Sequence, residues 1–351
     1  MDVKILSLYD GMACGMIAMQ LAGVEVESYD AYEIDKYAIK TAQHNFPMIK
    51  EHGDAFGADF TQYEGVDFLI GGSPCTYWSI AQTKNRETVA SGMGWELFSQ
   101  YVRALHEAKP KYFIYENNKS MSKDIRASID KAFGFEAVLI NSALVSAQNR
   151  QRLYWVGRRN EDGTYSKVNV EQPDDMGILI YDVLDCATGG TIRIPDYNNT
   201  GKSRPLSASY SHKGCGEGSL AFDCFPDNPN KQVFDYVAEY IVFDVVCEWG
   251  KNGKPTKAVS VADCKPYALF ESKDGEITIK GKQCRVKLED GLYIIRKLTV
   301  RECMRLQNVP NWYVFPVSDS QAYKMLGNGW TCEVIAHLIR SCNGRTNGVM
   351  E

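Results

Sequence analysis

The sequence lacks several features that would assign it to other classes of protein. It has no apolar run of about 18 residues, so we expect no segment to span a membrane. Its N-terminus, MDVKILSLYDG, lacks the basic start and the cleavage site of a signal peptide. The 11 cysteines stand singly, without a C-x-x-C pair or a Cys/His cluster at metal-ligand spacing. This pattern predicts a cytoplasmic protein with free thiols and no bound metal.

Two further absences concern ligands. The net charge of −5 is not the strongly basic balance of many nucleic-acid-binding proteins, although a bound polyanion meets only a local face of a protein. The chain also lacks a glycine run followed by a lysine, the arrangement that cradles phosphates. At 351 residues it is long enough for a large core and two domains.

One stretch, VDFLIGGSPCTYWSI at residues 66–80, organises the rest of the chain. Its apolar start predicts a buried strand, and Gly-Gly-Ser-Pro-Cys follows directly. In an open parallel sheet, ligands bind beyond the carboxyl ends of the strands. We therefore expect Cys75 at a reactive position, on a loop that Pro74 stiffens. A single cysteine is more often an inert small apolar residue, so the other residues must distinguish these two interpretations.

The N-terminus predicts the opening of a nucleotide-binding unit. Residues 3–8 alternate as a strand, and Tyr9, Asp10 and Gly11 then form a tight turn. The helix that follows contains Gly15, which would allow backbone to approach closely. In such units the N-terminus of the helix faces the ligand.

Two acidic residues follow the next strands. Glu33 ends the predicted second strand, where a carboxylate can accept hydrogen bonds from both ribose hydroxyls of a nucleoside cofactor. The alternative for Glu33 is an exposed loop acid. Asp54 lies in a turn, where it either binds an adenine amino group or caps the turn. Because no phosphate cradle is present, the pattern favours a cofactor with an adenosine but no pyrophosphate.

Two later segments bring charged side chains to the same predicted edge of the sheet. Residues 111–115 predict a buried strand, and Glu116 follows it, either as a functional carboxylate near Cys75 or as an exposed acid. Arg150 and Arg152 stand at alternate positions at the start of a strand, so they face the same side. Such a pair favours a phosphate or carboxylate partner, with a solvated edge strand as the alternative.

The composition changes near residue 158. We expect a first domain in residues 1–158, an irregular and mostly β domain in residues 159–295, and a segment in residues 296–351 that returns to the first domain. The middle part carries three groups of basic residues, which fit contacts with a phosphate backbone or, singly, a solvated surface. These are Lys202, Arg204, His212 and Lys213; Lys251, Lys254 and Lys257; and Lys280, Lys282, Arg285 and Lys287.

Taken in order, these residues resemble the cytosine-5 DNA methyltransferase family. Residues 9–15 (YDGMACG) look like the family's first cofactor motif, and residues 71–75 (GGSPC) look like its nucleophile motif. The remaining similar segments are the pair Glu116-Asn117, residues 148–152 (QNRQR), residues 296–307 (RKLTVRECMRLQ) and residues 323–330 (YKMLGNGW). The resemblance covers both ends of the chain but not the middle.

The resemblance implies an α/β fold: a Rossmann-like, doubly wound methyltransferase sheet, with a smaller, mostly β or irregular target recognition domain. It implies S-adenosylmethionine as cofactor. The cofactor-binding residues it implies are Tyr9, Asp10, Gly11, Gly15, Glu33, Asp54, Pro74 and Asn328.

The resemblance also implies catalysis by Cys75, Glu116, Arg150 and Arg152. Cys75 would add to carbon 6 of a flipped-out cytosine, and carbon 5 would then accept the methyl group. Glu116 would act as a positioned acid at the ring nitrogen. Arg150 would reach the ring carbonyl and help to hold both the ring and the glutamate.

The implied partner is double-stranded DNA, with no metal and no membrane, and we expect a monomer from a bacterial or phage-infected cell. A cognate restriction enzyme is a partner that the family allows. The sequence departs from the usual motifs at Thr76, where most members have Gln, and at Gly329-Trp330, where most have Ser-Val.

Two alternative functions are considered. The first is methylation of tRNA, which one subfamily with these motifs carries out, but its recognition region is smaller than residues 159–295. The second is a catalytically silent binding protein, and the presence of Cys75, Glu116 and Arg150 argues against it. An amino-methyltransferase would carry an Asp/Asn-Pro-Pro-aromatic motif, which is absent.

Overall fold

A computed structural model describes residues 2–80, 86–184 and 298–344, with shorter segments between the last two ranges. The shorter segments are 192–193, 202–203, 215–216, 219–220, 241–244, 247–249, 255–258, 269–279, 282–285 and 290–296. No helix in these parts of the chain is both long and apolar enough to cross a membrane.

An eight-stranded sheet forms the centre of the larger part of the molecule. Its strands are β1 (Val3–Leu8), β2 (Val26–Tyr32), β3 (Lys50–Glu51), β4 (Phe68–Gly71), β5 (Tyr112–Asn118), β6 (Val138–Asn141), β7 (Gln151–Arg159) and β8 (Tyr165–Lys167). The order is β3-β2-β1-β4-β5-β7-β6, with β8 paired to β7. Strands β1 to β5 pair in parallel, whereas β7 runs antiparallel to its neighbours. The order reverses between β1 and β4, which is where doubly wound sheets bind ligands.

Helices cover both faces of this sheet. They are α1 (Cys14–Leu21), α2 (Lys36–Asn45), α3 (Gly92–Ala108), α4 (Lys123–Phe133), α5 (Ile180–Val183), α6 (Val300–Leu306), α7 (Asp319–Asn328) and α8 (Cys332–Cys342). Local signals set several of their ends. Ser122 accepts a hydrogen bond from the Ile125 amide at the start of α4, and Thr299 and Glu302 form a capping box on α6.

The core has one apolar cluster on each face of the sheet. The first includes Ile17 of α1 and Ile335 of α8, and α8 packs directly against α1. The second includes Phe98 of α3 and Ile129 of α4. Because a parallel sheet is buried on both faces, its strands read as continuous apolar runs. The Rossmann-like, doubly wound fold predicted from the sequence is confirmed.

A second, six-stranded antiparallel sheet lies in the middle of the sequence, as the mostly β composition predicts. In spatial order its strands are Lys282–Arg285, Glu276–Ile279, Leu269–Lys273, Gly291–Arg296, Ile241–Asp244 and Ile192–Arg193. The domain boundaries at residues 158 and 295 stay predictions.

Most of the side chains in the three basic groups lie outside the described residues. Lys202 is described, and its ammonium group donates to the carbonyl oxygens of Ser146 (3.3 Å) and Ile178 (2.5 Å). This lysine therefore bonds to backbone carbonyl groups of its own chain.

Candidate active site

The turn between β1 and α1 is held in an unusual backbone conformation. Tyr9, Gly11 and Ala13 have φ values of 61°, 63° and 60°, in the left-handed region that only glycine adopts freely. The surroundings of Tyr9 hold it there: its amide donates to the Tyr32 carbonyl (2.8 Å) and its hydroxyl to the Leu97 carbonyl (2.8 Å). The turn is thus anchored to both β2 and α3.

Asp10 is the buried carboxylate of this turn, with 8 % of its surface exposed. Its Oδ1 accepts hydrogen bonds from the Ser7 hydroxyl (2.5 Å) and the Tyr29 hydroxyl (2.5 Å). Its Oδ2 is buried and has no hydrogen-bond partner among the described residues. Burial raises the pKa of Asp10 to about 6, and the charge of Glu33 acts in the same direction.

Glu33 joins the turn to the end of β2. Its Oε2 accepts a hydrogen bond from the Gly11 amide (2.8 Å), and its Oε1 accepts from the amides of Ile34 (2.7 Å) and Asp35 (2.8 Å). A carboxylate offers about four acceptor positions, so one remains for an external donor. The side chain is fixed in place at the site where the sequence predicts a ribose-binding acid.

Asp54 caps its own turn, since its Oδ1 accepts a hydrogen bond from the Phe56 amide at 2.9 Å. This contact corresponds to the turn-capping alternative, and it leaves the adenine-binding role a prediction.

Glu51 is a residue that the sequence analysis missed. Both of its carboxylate oxygens are buried without a hydrogen-bond partner in the described part of the chain. Burial, together with the charges of Asp10 and Glu33, raises the pKa of Glu51 to about 8. The sequence pattern that could have predicted its burial is the strand period of two, which puts Glu51 on the same face as the buried Ile49.

Gly15 lies against the sheet. A Cβ atom at this position would come within 2.5 Å of the Tyr29 hydroxyl and 2.4 Å of Ile70 Cδ1. The close approach that the sequence predicts is therefore between α1 and the strands, and this packing explains the glycine without a ligand contact.

The loop after β4 crosses very close to neighbouring strands. A Cβ atom on Gly71 would lie 2.6 Å from the Leu8 carbonyl oxygen, and one on Gly72 would lie 2.7 Å from the Glu116 carbonyl oxygen. The same Cβ on Gly72 would be 3.1 Å from Glu116 Oε2. Glycine is required at both positions, and Gly72 brings the loop beside the carboxylate of Glu116.

Cys75 follows three residues later. The Ser73 hydroxyl lies 2.6 Å from the Tyr115 hydroxyl, and the Asn117 amide group donates to the Ser73 carbonyl (3.1 Å). Pro74 is exposed, and Cys75 begins a short 3₁₀ turn, Cys75–Tyr77. The loop is thus fixed to β5 immediately before the cysteine, at the carboxyl end of β4.

Glu116 lies within β5, because the strand continues through it to Asn118. Its Oε1 forms an ion pair with Arg152 Nε at 3.1 Å, and the two side chains are only 13 % and 17 % exposed. The register places Glu116 opposite Tyr154, so Arg152 is its diagonal neighbour on the same face. The Oε2 of Glu116 accepts a hydrogen bond from the Trp330 indole at 3.0 Å.

The resemblance implies that Arg150 holds the glutamate, but the ion pair is made by Arg152. The Arg150 guanidinium is buried and donates to the carbonyl oxygens of Gly327 (3.2 Å) and Gly329 (2.9 Å). The reason is geometric: Arg150 precedes the first residue of β7 and faces the C-terminal end of α7, where carbonyl groups and the helix dipole attract a cation.

Asn328 is the last residue of α7, and it is exposed. The contact of Trp330, two residues later, with Glu116 is a second feature that the sequence analysis missed. The available signal was the departure of Gly329-Trp330 from the usual closing motif. Within the described ranges, no group of three or more His, Cys, Asp or Glu side chains is arranged to hold a metal ion.

Comparisons with known proteins agree with this geometry. The family model of the C-5 cytosine-specific DNA methylases matches residues 3–344. The type II methyltransferase M1.ScrFI of Lactococcus lactis subsp. cremoris is 28% identical over 87% of this chain and 69% of its own length. The type II methyltransferase M.HpaII of Haemophilus parainfluenzae is 27% identical over 92% of this chain and 84% of its own.

A solved structure shows the same fold. A DNMT2 variant of Spodoptera frugiperda aligns with a TM-score of 0.57 and 17% identity, over 97% of this chain and 100% of its own. The family match spans the turn at Tyr9, the loop at Cys75, the Glu116–Arg152 pair and the closing segment at Trp330. The chain therefore belongs to the C-5 cytosine-specific DNA methylase family.

Proposed function

We propose that this protein methylates carbon 5 of a flipped-out cytosine in double-stranded DNA through a covalent adduct with Cys75. The observation that carries the proposal is the position of Glu116. Its carboxylate is held by Arg152 (3.1 Å) and lies beside Gly72, three residues before the cysteine. A nucleophile and an acidic group at adjoining strand ends are what addition to a pyrimidine ring requires.

The residues of the β1–α1 turn fit S-adenosylmethionine, the cofactor of the family. Asp10 has a buried oxygen without a hydrogen-bond partner in the described part of the chain, and Glu33 retains an acceptor position. These carboxylates suit a ligand that carries positive charge and ribose hydroxyls, and they repel phosphates. Tyr9, Gly11, Gly15, Asp54, Pro74 and Asn328 complete the set proposed for the cofactor side. When bound, the cofactor supplies a methyl group on a sulfonium centre.

The proposed chemistry begins with the Cys75 thiolate, which adds to carbon 6 of the cytosine. Glu116 hydrogen-bonds the ring nitrogen beside the exocyclic amine and stabilises the resulting electron-rich ring. Arg152 holds Glu116, and Arg150 is proposed for the ring carbonyl. After carbon 5 is methylated, a water molecule takes the remaining proton of carbon 5, and the bond between carbon 6 and sulfur breaks, which restores the thiolate and the aromatic ring.

The cytosine must leave the base stack for this reaction, because a thiolate adds to carbon 6 from the face of the ring, and the neighbouring stacked bases cover that face inside a duplex. Flipping a base costs a few kcal/mol, which contacts with the loop after Cys75 and with the middle region would offset. The sequence specificity is proposed to lie in the middle region, which the resemblance to the family's motifs does not cover.

Methyl transfer from tritiated S-adenosylmethionine tests the proposal. Unmethylated double-stranded DNA and RNA of the same sequence are the two substrates, and Cys75→Ala is compared with Cys342→Ala at the last residue of α8. We expect label on carbon 5 of DNA cytosine with the wild type and with Cys342→Ala, and none with Cys75→Ala.

Label on RNA alone would replace DNA with RNA as the substrate. Label that persists in Cys75→Ala would contradict the covalent route. DNA binding without any transfer would indicate a silent binder, and the proposal would then be wrong.

A further inference from the structure

Trp330 occupies a position at which most family members lack a hydrogen-bond donor. It follows the C-terminal end of α7, and its indole Nε1 donates to Glu116 Oε2 at 3.0 Å. The two residues are 214 positions apart in the sequence, so the contact depends on the tertiary fold. Indole N–H groups that are partly buried require an acceptor, and here the acceptor is the proposed acidic group.

The Glu116 carboxylate needs such a contact. The terminal torsion of a glutamate side chain is broad and is not fixed by rotamer preference. Arg152 fixes Oε1 from β7, and Trp330 fixes Oε2 from the segment after α7. Two donors from separate elements define the plane of the carboxylate. They use about two of its four lone-pair positions, which leaves one on each oxygen: one for the proton that is donated to the ring nitrogen, and one to accept a hydrogen bond from the exocyclic amine.

The segment that carries Trp330 is itself anchored. The Arg150 guanidinium donates to the carbonyl oxygens of Gly327 and Gly329, on both sides of Asn328. The Gly329 amide donates to the Met325 carbonyl at 2.7 Å. The peptide before Trp330 is therefore held at both ends, and the indole is presented to Glu116 from a fixed backbone.

We propose that Trp330 is a positioning residue that orients Glu116 toward the target cytosine. The inference rests on the proposed function for its consequence in catalysis, but the contact can be measured without any activity. The same proposal gives Arg150 a role, because its hydrogen bonds to Gly327 and Gly329 hold the turn that carries Trp330.

Indole ¹⁵N–¹H spectra of the full-length protein test the contact directly. The chain has six tryptophans, and Trp330→Phe identifies the Trp330 signal. We expect this signal to move upfield in Glu116→Gln, because a charged acceptor becomes neutral. The Trp155 signal is an internal control, since its indole donates to Asp130 Oδ1 at 2.7 Å, and it should not move. An unchanged Trp330 signal in Glu116→Gln would overturn the inference.

Kinetics test the consequence. Trp330→Phe keeps the bulk of an aromatic ring and removes the donor, so we expect kcat to fall about tenfold or more, with the Kd for S-adenosylmethionine unchanged. In the Glu116→Gln background the same change should have no further effect. An equal loss in both backgrounds, or a weaker cofactor affinity with an unchanged kcat, would contradict a positioning role. If the wild type transfers no methyl group, the proposed function fails, and the spectra still decide the contact between Trp330 and Glu116.

Discussion

Replacing Glu51 by glutamine is expected to stabilise the protein at alkaline pH but not at acidic pH. Both carboxylate oxygens of Glu51 are buried without a partner among the described residues, and its pKa rises from an ordinary 4.5 to about 8. Between these two values the folded protein binds more protons than the unfolded chain. The free energy of unfolding therefore decreases as pH rises through this window.

The magnitude follows from the width of the window. Each pH unit corresponds to about 1.4 kcal/mol, so full linkage over the interval would be about 5 kcal/mol. Glu51 is only partly buried as a residue, and solvent screening reduces this to about 1–2 kcal/mol. A change of this size shifts the Tm of a chain of this length by about 1–3 °C.

Thermal unfolding of the wild type and Glu51→Gln, measured at pH 5 and pH 8 at constant ionic strength, provides the test. We expect equal Tm values at pH 5 and a higher Tm for the variant at pH 8. Asp10, with its pKa of about 6, keeps part of the pH dependence in both proteins. Glu161→Gln, at an exposed position between β7 and β8, serves as the matched control. If the variant keeps the full pH dependence of the wild type, Glu51 is not the buried acid responsible.

Three further predictions concern the site. Arg152→Gln removes the ion pair with Glu116 Oε1. We expect methyl transfer to slow by about 10- to 100-fold in initial-rate assays. The control is Arg126→Gln, since the Arg126 side chain on α4 is 42% exposed. Gly72→Ala places a methyl group 2.7 Å from the Glu116 carbonyl, which should lower the Tm and the rate together, at a cost of about 1–3 kcal/mol in stability; a fully active variant would show that the loop has room. Cofactor affinity measured by calorimetry should increase several-fold from pH 5 to pH 7, because the Asp10 carboxylate, with a pKa of about 6, must ionise to attract a cation. Asp10→Asn should abolish that pH dependence.

The sequence predicts those parts of the fold that depend on local signals. Strand β1 matches the predicted residues 3–8, and in the structure Ser122 and Thr299 cap the first turns of α4 and α6. Each of these depends on side chains within a few residues of one another, so the pattern along the chain contains the information. The parallel edge that collects Cys75 and Glu116 is predictable for a related reason, since strand ends in a doubly wound sheet meet on one side.

The contacts that the sequence does not predict are those between distant segments. Arg152 pairs with Glu116, whereas Arg150 bonds to the end of α7. This difference depends on where β7 begins and on the position of α7. The contact of Trp330 with Glu116 requires the closing segment to return to β5. The raised pKa of Glu51 depends on its burial and on the charges of Asp10 and Glu33, which come near it only after folding. The sequence of β3 itself does not predict these neighbours.

The packing of α8 against α1 also has a consequence for how the protein is made. The Tyr313 hydroxyl donates to the Met12 carbonyl at 2.6 Å, a contact between residues 301 positions apart that braces the β1–α1 turn. A ribosome releases α1 long before Tyr313 and α8, so the turn lacks this support during most of translation. Such long-range contacts also form slowly compared with local ones. Methyl-donor binding, which depends on this turn, is therefore expected only after α8 has been synthesised.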